Sequence, residues 1–126
     1  QFHGDENESF CKQYNLPYIK AITMKSDVDL LKCIQEYNSA KALLLDTFSK
    51  VARGGSGEVF DWKMIPPNTL KPIIVAGGLT PDNVQTLLEV ISPYGVDVSS
   101  GIEINKGLKD YKLMKKFILG VTNAGV

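Results

Sequence analysis

The sequence predicts an α/β fold built on a parallel sheet, with about five strand–helix units in a single domain. Three observations carry this. The apolar runs Ala42-Leu43-Leu44-Leu45 and Pro72-Ile73-Ile74-Val75-Ala76 have the composition of strands buried on both faces, as parallel sheets require. Between such runs, apolar residues recur at helical spacing. The residues able to do chemistry fall where the apolar runs stop, which in parallel α/β folds is the end that carries ligands.

Taken in order, Phe2-His3 reads as the stump of a strand, and Glu8 to Tyr14 as its helix. Tyr18 to Ile22 is short and rich in β-formers, so it is the next strand. Val28, Leu31, Ile34 and Tyr37 follow at helical spacing, with Asp27 as the expected N-cap. Ala42 to Leu45 is a strand that stops at Asp46, and a polar, Gly-rich stretch runs from Thr47 to Asp61. Within its end, Phe60-Asp61-Trp62 reads as a short helix start, with Asp61 capping and Trp62 packing under the loop. Pro72 to Ala76 is a strand that turns at Gly77-Gly78-Leu79. Thr80-Pro81 then has the form of an N-cap followed by the first helical residue, with Val84, Leu87, Leu88 and Ile91 on one face. Gly95 to Val98 is the last strand, broken by Ser99-Ser100-Gly101. A final helix over about Asp110 to Leu119 is expected to turn Tyr111, Met114, Phe117 and Ile118 inward, with the tail from Gly120 frayed. Five such units do not close an eight-stranded barrel. They make either an open doubly wound sheet or the larger part of a barrel whose beginning is absent.

Composition narrows the function. The 126 residues include 44% apolar ones, enough for a core, and 14 basic side chains balance 14 acidic ones. That balance asks for neither a nucleic-acid nor an anionic-membrane partner. No apolar run reaches the roughly 18 residues of a membrane span, and no leader pattern is visible. Cys11 and Cys33 fall in helical stretches without metal-ligand spacing, and the single His3 cannot anchor a metal alone. Two reduced structural thiols, no metal and no cofactor, in a cytoplasmic protein, are the expectation.

Four strand ends carry unusual chemistry. Phosphate needs bare backbone N–H groups and room for close approach, which Gly77-Gly78 and Ser99-Ser100-Gly101 offer at the ends of consecutive strands. Either alone is equally a tight turn; together they point to a phosphate. Asp46 ends a fully apolar strand and is either a loop cap or ion-pair partner or a partly desolvated carboxylate, raised toward the range of a general acid. Asp97, between Val96 and Val98, is expected to be a buried polar group or to face inward near the glycine loops. His3 leaves its strand end beside Gly4 and Asp5. Arg53-Gly54-Gly55-Ser56-Gly57 lacks the spacing of a P-loop and follows no strand directly. It is a flexible loop or a lid over a site.

The segments LLLDT, GGSGEVFDW, IIVAGGLTPDNV and VDVSSGIEINKGLKD, in this order and spacing, resemble the phosphoribosylanthranilate isomerase family of tryptophan biosynthesis, and QFHGDE resembles that family's fourth-strand motif. The resemblance implies a (β/α)8 TIM-barrel, seen here as a partial barrel that begins at strand four and lacks three units. It implies a cofactor-free Amadori rearrangement of a phosphorylated sugar-anthranilate substrate. By resemblance Asp46 is the general acid, Gly77, Gly78, Ser99, Ser100 and Gly101 bind the phosphate, Gly55 and Gly57 belong to a loop closing over the substrate, and His3 and Asp97 line the site. The family's general base, a Cys at the end of its first strand, and its anthranilate-binding Arg have no counterpart here. The expected behaviour is a chain inactive alone, forming a homodimer or pairing with the missing N-terminal half.

Overall fold

Each apolar run can satisfy its backbone in a dry interior only by pairing with a neighbour. In the computed structural model, which describes residues 1–48 and 58–124, strands β1 (Ile19–Met24), β2 (Ala42–Thr47), β3 (Ile73–Val75) and β4 (Gly95–Val96) form one parallel sheet in that order. Ile22 pairs with Leu45, Leu45 with Val75, and Val75 with Val96. Phe2 makes an isolated parallel bridge to Lys20, so the expected stump lies beside β1. Helices α1 (Glu8–Lys12), α2 (Leu30–Glu36), α3 (Val84–Val90) and α4 (Tyr111–Asn123) follow the Phe2 bridge, β1, β3 and β4. A 3-10 turn, Trp62–Met64, precedes β3, with Asp61 accepting from the Lys63 N–H at 3.0 Å. Among the described residues the sheet does not close into a barrel.

Strand alternation sends successive side chains to opposite faces. Ile22, Met24, Leu43, Leu45, Ile73 and Val75 point to the helix-covered face, where they pack with Leu30, Tyr37, Phe60, Leu79, Val84, Leu87 and Phe117. Leu43, Leu45 and Val75 are wholly buried there, each worth about 1.5–3 kcal/mol of transfer free energy. On the opposite face Ala42, Leu44 and Ala76 are buried; Ile19, Ala21 and Ile74 are half-buried and Thr23 is exposed.

Several boundaries differ from the sequence expectation. Asp29, not Asp27, caps α2 by accepting from the Lys32 N–H at 3.1 Å. The helix therefore starts at Leu30 and buries Leu30 and Tyr37, leaving Leu31 exposed. Thr80 and Pro81 open a turn rather than the helix, which begins at Val84 with Asn83 before it. Strand β4 ends at Val96, two residues short of Val98. In α4 only Phe117 is buried; Tyr111, Met114 and Ile118 are exposed, because the helix packs on α3 and on the Ser100–Ile102 turn and leaves its other side open. Nor does α4 fray at Gly120. A Cβ there would lie 2.9 Å from the Val84 side chain, so the missing side chain lets α4 press against α3 and continue to Asn123. A hairpin of β5 (Glu103–Asn105) and β6 (Leu108–Lys109) precedes α4 and was not expected. Its turn uses Gly107 at φ +80°, a conformation glycine adopts without steric cost.

Candidate active site

Parallel pairing brings the C-terminal ends of all four strands to one edge, and the register levels particular residues there. The Ala76 N–H donates to the Leu45 carbonyl and the Asp97 N–H to the Val75 carbonyl, each at 2.8 Å. Asp46, Ala76 and Asp97 thus form one row across β2, β3 and the end of β4, continued on β1 by Thr23, the partner of Asp46. This row lies on the face the helices do not cover.

Asp46 and Gly77 are in direct contact: a Cβ on Gly77 would collide with Asp46 Oδ1 and with the Thr47 backbone nitrogen. Gly77 and Gly78 both have positive φ, +79° and +67°, so the two residues need glycine for conformation as well as for space. A Cβ on Gly78 would strike the Glu58 carbonyl, and one on Gly101 the Leu79 carbonyl. The loops after β2, β3 and β4 therefore interlock at backbone contact. Ser100 begins a 3-10 turn, Ser100–Ile102. Beside it Lys109 Nζ donates to the Ser99 carbonyl at 2.8 Å while paired to Glu103 at 2.6 Å.

The Asp46 carboxyl is raised above its ordinary pKa. Burial by the surrounding loops is the main cause, the like charge of Asp97 adds to it, and a bond from the Thr47 backbone opposes it. The residue nonetheless keeps access to solvent, so protein replaces only part of its hydration shell and the remaining water limits the rise. Asp97 is exposed rather than buried. The expectation of a buried polar group fails because β4 ends one residue before it and nothing described covers that face. His3 is also exposed. Its neighbour Phe2 packs its ring on Phe10, Tyr14 and Tyr18 toward the helices, so alternation places His3 on the uncovered face with Asp46. Gly55 and Gly57, with the rest of the Gly54–Gly57 stretch, lie outside the described residues.

Two residues that sequence reasoning passed over hold this edge together. Thr47 Oγ1 donates to the Gly77 carbonyl and accepts from the Phe60 N–H, both at 3.2 Å. Asn83 Nδ2 donates to the Gly78 carbonyl at 2.9 Å while its Oδ1 accepts from the Thr80 N–H at 2.8 Å. Their only sequence signal was position: one directly after Asp46, the other at the end of Thr80-Pro81-Asp82-Asn83. The N–H groups near the glycines come from this turn, not from a helix end, since α3 starts later.

Cys11 is buried in α1 and Cys33 half-buried in α2, both as free thiols. Burial pushes the Cys33 thiol up, away from reactivity. Among the described residues no group of three or more His, Cys, Asp or Glu side chains is placed to hold a metal ion, and no helix is long and apolar enough to cross a membrane.

Comparison with known proteins gives this edge its context. N-(5'-phosphoribosyl)anthranilate isomerase of Pseudomonas fluorescens is 48% identical over 124 residues, covering 98% of this chain and 59% of its own length. The enzyme of that name from a Marinomonas species is 48% identical over 120 residues, 95% of this chain and 58% of its own. The chain thus spans a little under six-tenths of the relatives it matches. Among solved structures, phosphoribosyl anthranilate isomerase from Thermotoga maritima superposes with a TM-score of 0.82 at 31% identity, over 96% of this chain and 60% of its own. A phosphoribosyl anthranilate isomerase in complex with reduced 1-(o-carboxyphenylamino)-1-deoxyribulose 5-phosphate superposes at 0.72 with 28% identity, over 96% of this chain and 57% of its own. The α/β fold with its parallel sheet is therefore of the TIM-barrel type. Residues 1–119 match the family described as N-(5'phosphoribosyl)anthranilate (PRA) isomerase. The chain belongs to that family.

Proposed function

We propose that this chain supplies the acid and the phosphate site of an aldose–ketose isomerase in tryptophan biosynthesis, acting in the cytoplasm without a cofactor. The reaction converts N-(5-phosphoribosyl)anthranilate to 1-(2-carboxyphenylamino)-1-deoxyribulose 5-phosphate. Asp46 protonates the furanose ring oxygen as the C1–O bond breaks, which opens the sugar to a Schiff base. A base then removes the C2 proton, and the resulting enolamine tautomerises to the ketone. The observation that carries the reading is the contact of Asp46 with Gly77, which joins a carboxyl of raised pKa to a turn of bare backbone. Gly77, Gly78, Ser99, Ser100 and Gly101 hold the phosphate, Gly55 and Gly57 belong to a loop that closes over the substrate, and His3 and Asp97 line the site. Bare, glycine-rich backbone of this kind suits an anion.

In the family this chain resembles the C2 base is a Cys, and since Cys11 and Cys33 lie in α1 and α2, the base on this reading comes from outside these residues. The active unit is therefore this chain, as five βα units of a (β/α)8 barrel, together with a polypeptide that supplies the remaining strands and a Cys base. What supports this pairing is the apolar surface left at both ends of the helix layer: Phe10, Tyr14 and Leu16 at one, Tyr111, Met114 and Ile118 at the other. Exposed surface of that kind is an association site.

The test is complementation with the N-terminal segment of a relative. The chain alone should show no turnover, and the mixture should show it. Asp46→Asn in the mixture should cost about 10²–10⁴ in turnover and leave binding of inorganic phosphate unchanged. Turnover by the chain alone would remove the pairing, and an active Asp46→Asn mixture would remove the acid. Phosphate binding without turnover in any mixture would leave a phosphate-binding half-barrel as the function, and self-association that excludes the added segment would make the assembly a homodimer.

A further inference from the structure

Lys20 is the one charged residue that is buried among those described, at 2% exposed. It lies on β1, on the helix-covered face, in a position where alternation calls for an apolar side chain. A lysine there needs partners for its charge, and it has them on a single loop. Nζ donates to the Gly4 carbonyl at 2.5 Å and to Glu6 Oε2 at 3.1 Å. The same Glu6 oxygen accepts from the Gly4 N–H at 2.9 Å. The Glu6 carbonyl accepts from the Tyr37 hydroxyl at 3.0 Å, and the ammonium sits 5.4 Å from the centre of the Tyr37 ring. Gly4 and Glu6 are thus tied to β1 and to the end of α2 by one closed set of bonds. The segment they belong to begins with His3.

We infer that Lys20 is a positioning residue, whose buried ammonium fixes the Gly4–Glu6 turn and thereby aims His3 at the edge where Asp46 and the glycine loops meet. Phe2 alone cannot do this. Its pairing is a single bridge rather than a ladder, and beyond it the chain would be free to swing about Gly4. The clamp acts from the helix side, so Lys20 touches no substrate. Its bearing on turnover rests on the function proposed above; its hold on the turn does not.

The experiment separates the two. Lys20→Met keeps the stem and removes the charge, and Lys20→Arg keeps the charge. Amide exchange at Gly4, Asp5 and Glu6 should rise about tenfold or more in Lys20→Met, return toward the parent rate in Lys20→Arg, and stay unchanged at Leu43–Leu45. The resonances of His3, the sole histidine, should move with the same pattern. In the complemented enzyme, Lys20→Met should lower kcat more than it raises KM, with Lys20→Arg rescuing part of the loss. If Lys20→Met does not fold, Glu6→Ala removes the acceptor shared by Lys20 and the Gly4 N–H at a partly exposed position and should give the same local exchange. Unchanged exchange at Gly4–Glu6 in the folded variants overturns the clamp. A loosened turn with unchanged kcat overturns its role in the site. A parent mixture without turnover would fail the functional reading alone, because exchange and the His3 resonances still decide whether Lys20 holds the turn.

Discussion

On the helix-covered face of the sheet Leu43, Leu45 and Val75 are wholly buried, whereas on the other face Ile19, Ala21 and Ile74 are half-buried and Thr23, Asp46 and Asp97 are exposed. The two faces belong to the same strands and differ by one residue in phase. The covered face is held by packing, the cheapest way to stabilise a structure that needs no chemistry. The open face ends in carboxylates, glycines and hydroxyl groups held by specific hydrogen bonds, which leaves its polar groups able to meet a ligand. The packed core and the candidate site residues are thus divided by strand alternation rather than by separate regions of chain.

Substitutions at five positions bear on that division. Leu45→Ala should be the most damaging, at about 2–5 kcal/mol, while Ile74→Ala on the open face should cost less than about 1.5 kcal/mol, since solvent already reaches it. Equal losses in urea denaturation would mean that the open face is covered in solution. Next comes Gly78→Ala, which forces a side chain onto the Glu58 carbonyl at positive φ. It should cost about 1–3 kcal/mol and abolish binding of inorganic phosphate in calorimetry; retained binding would move the phosphate elsewhere. Thr47→Val removes the hydroxyl shared by Gly77 and Phe60. It should cost about 1 kcal/mol and weaken phosphate binding, with Thr47→Ser restoring both.

The smallest effect is a gain. Because the folded-state pKa of Asp46 is raised, ionising it is harder in the fold than in the unfolded chain. The native state is therefore favoured while the group is protonated, and that advantage is lost as pH rises from the ordinary aspartate range through the raised value. Asp46→Asn should then stabilise the fold at neutral pH by about half a kcal/mol after solvent screening and give no gain at pH about 3, below both values. A melting temperature that falls at neutral pH would show the ionised carboxylate to be held by bonds rather than strained by burial.

Much of this was legible in the residues. The runs at Ala42 and Ile73 could be little other than buried parallel strands. Asp61 as a cap, Cys11 and Cys33 in helices, and the position of Asp46 and Gly77 at strand ends followed from spacing alone. Some of the errors share one cause. Asp27 in place of Asp29, Leu31 in place of Leu30, and Tyr111, Met114 and Ile118 turned inward were all choices between adjacent helical faces. Local periodicity cannot make that choice when more than one face is apolar.

By itself, then, the sequence determined the order of the strands of the main sheet and their helices, its parallel pairing and the edge where the candidate site residues lie, because these depend on hydrophobic period and turn chemistry written into neighbouring residues. Only the tertiary structure decided which carboxylate meets which glycine, that Thr47 and Asn83 tie the loops together, and that Lys20 is buried with its charge spent on the Gly4–Glu6 turn. Those depend on register between strands far apart in the chain, and register is fixed by the whole sheet closing on its helices rather than by any local signal.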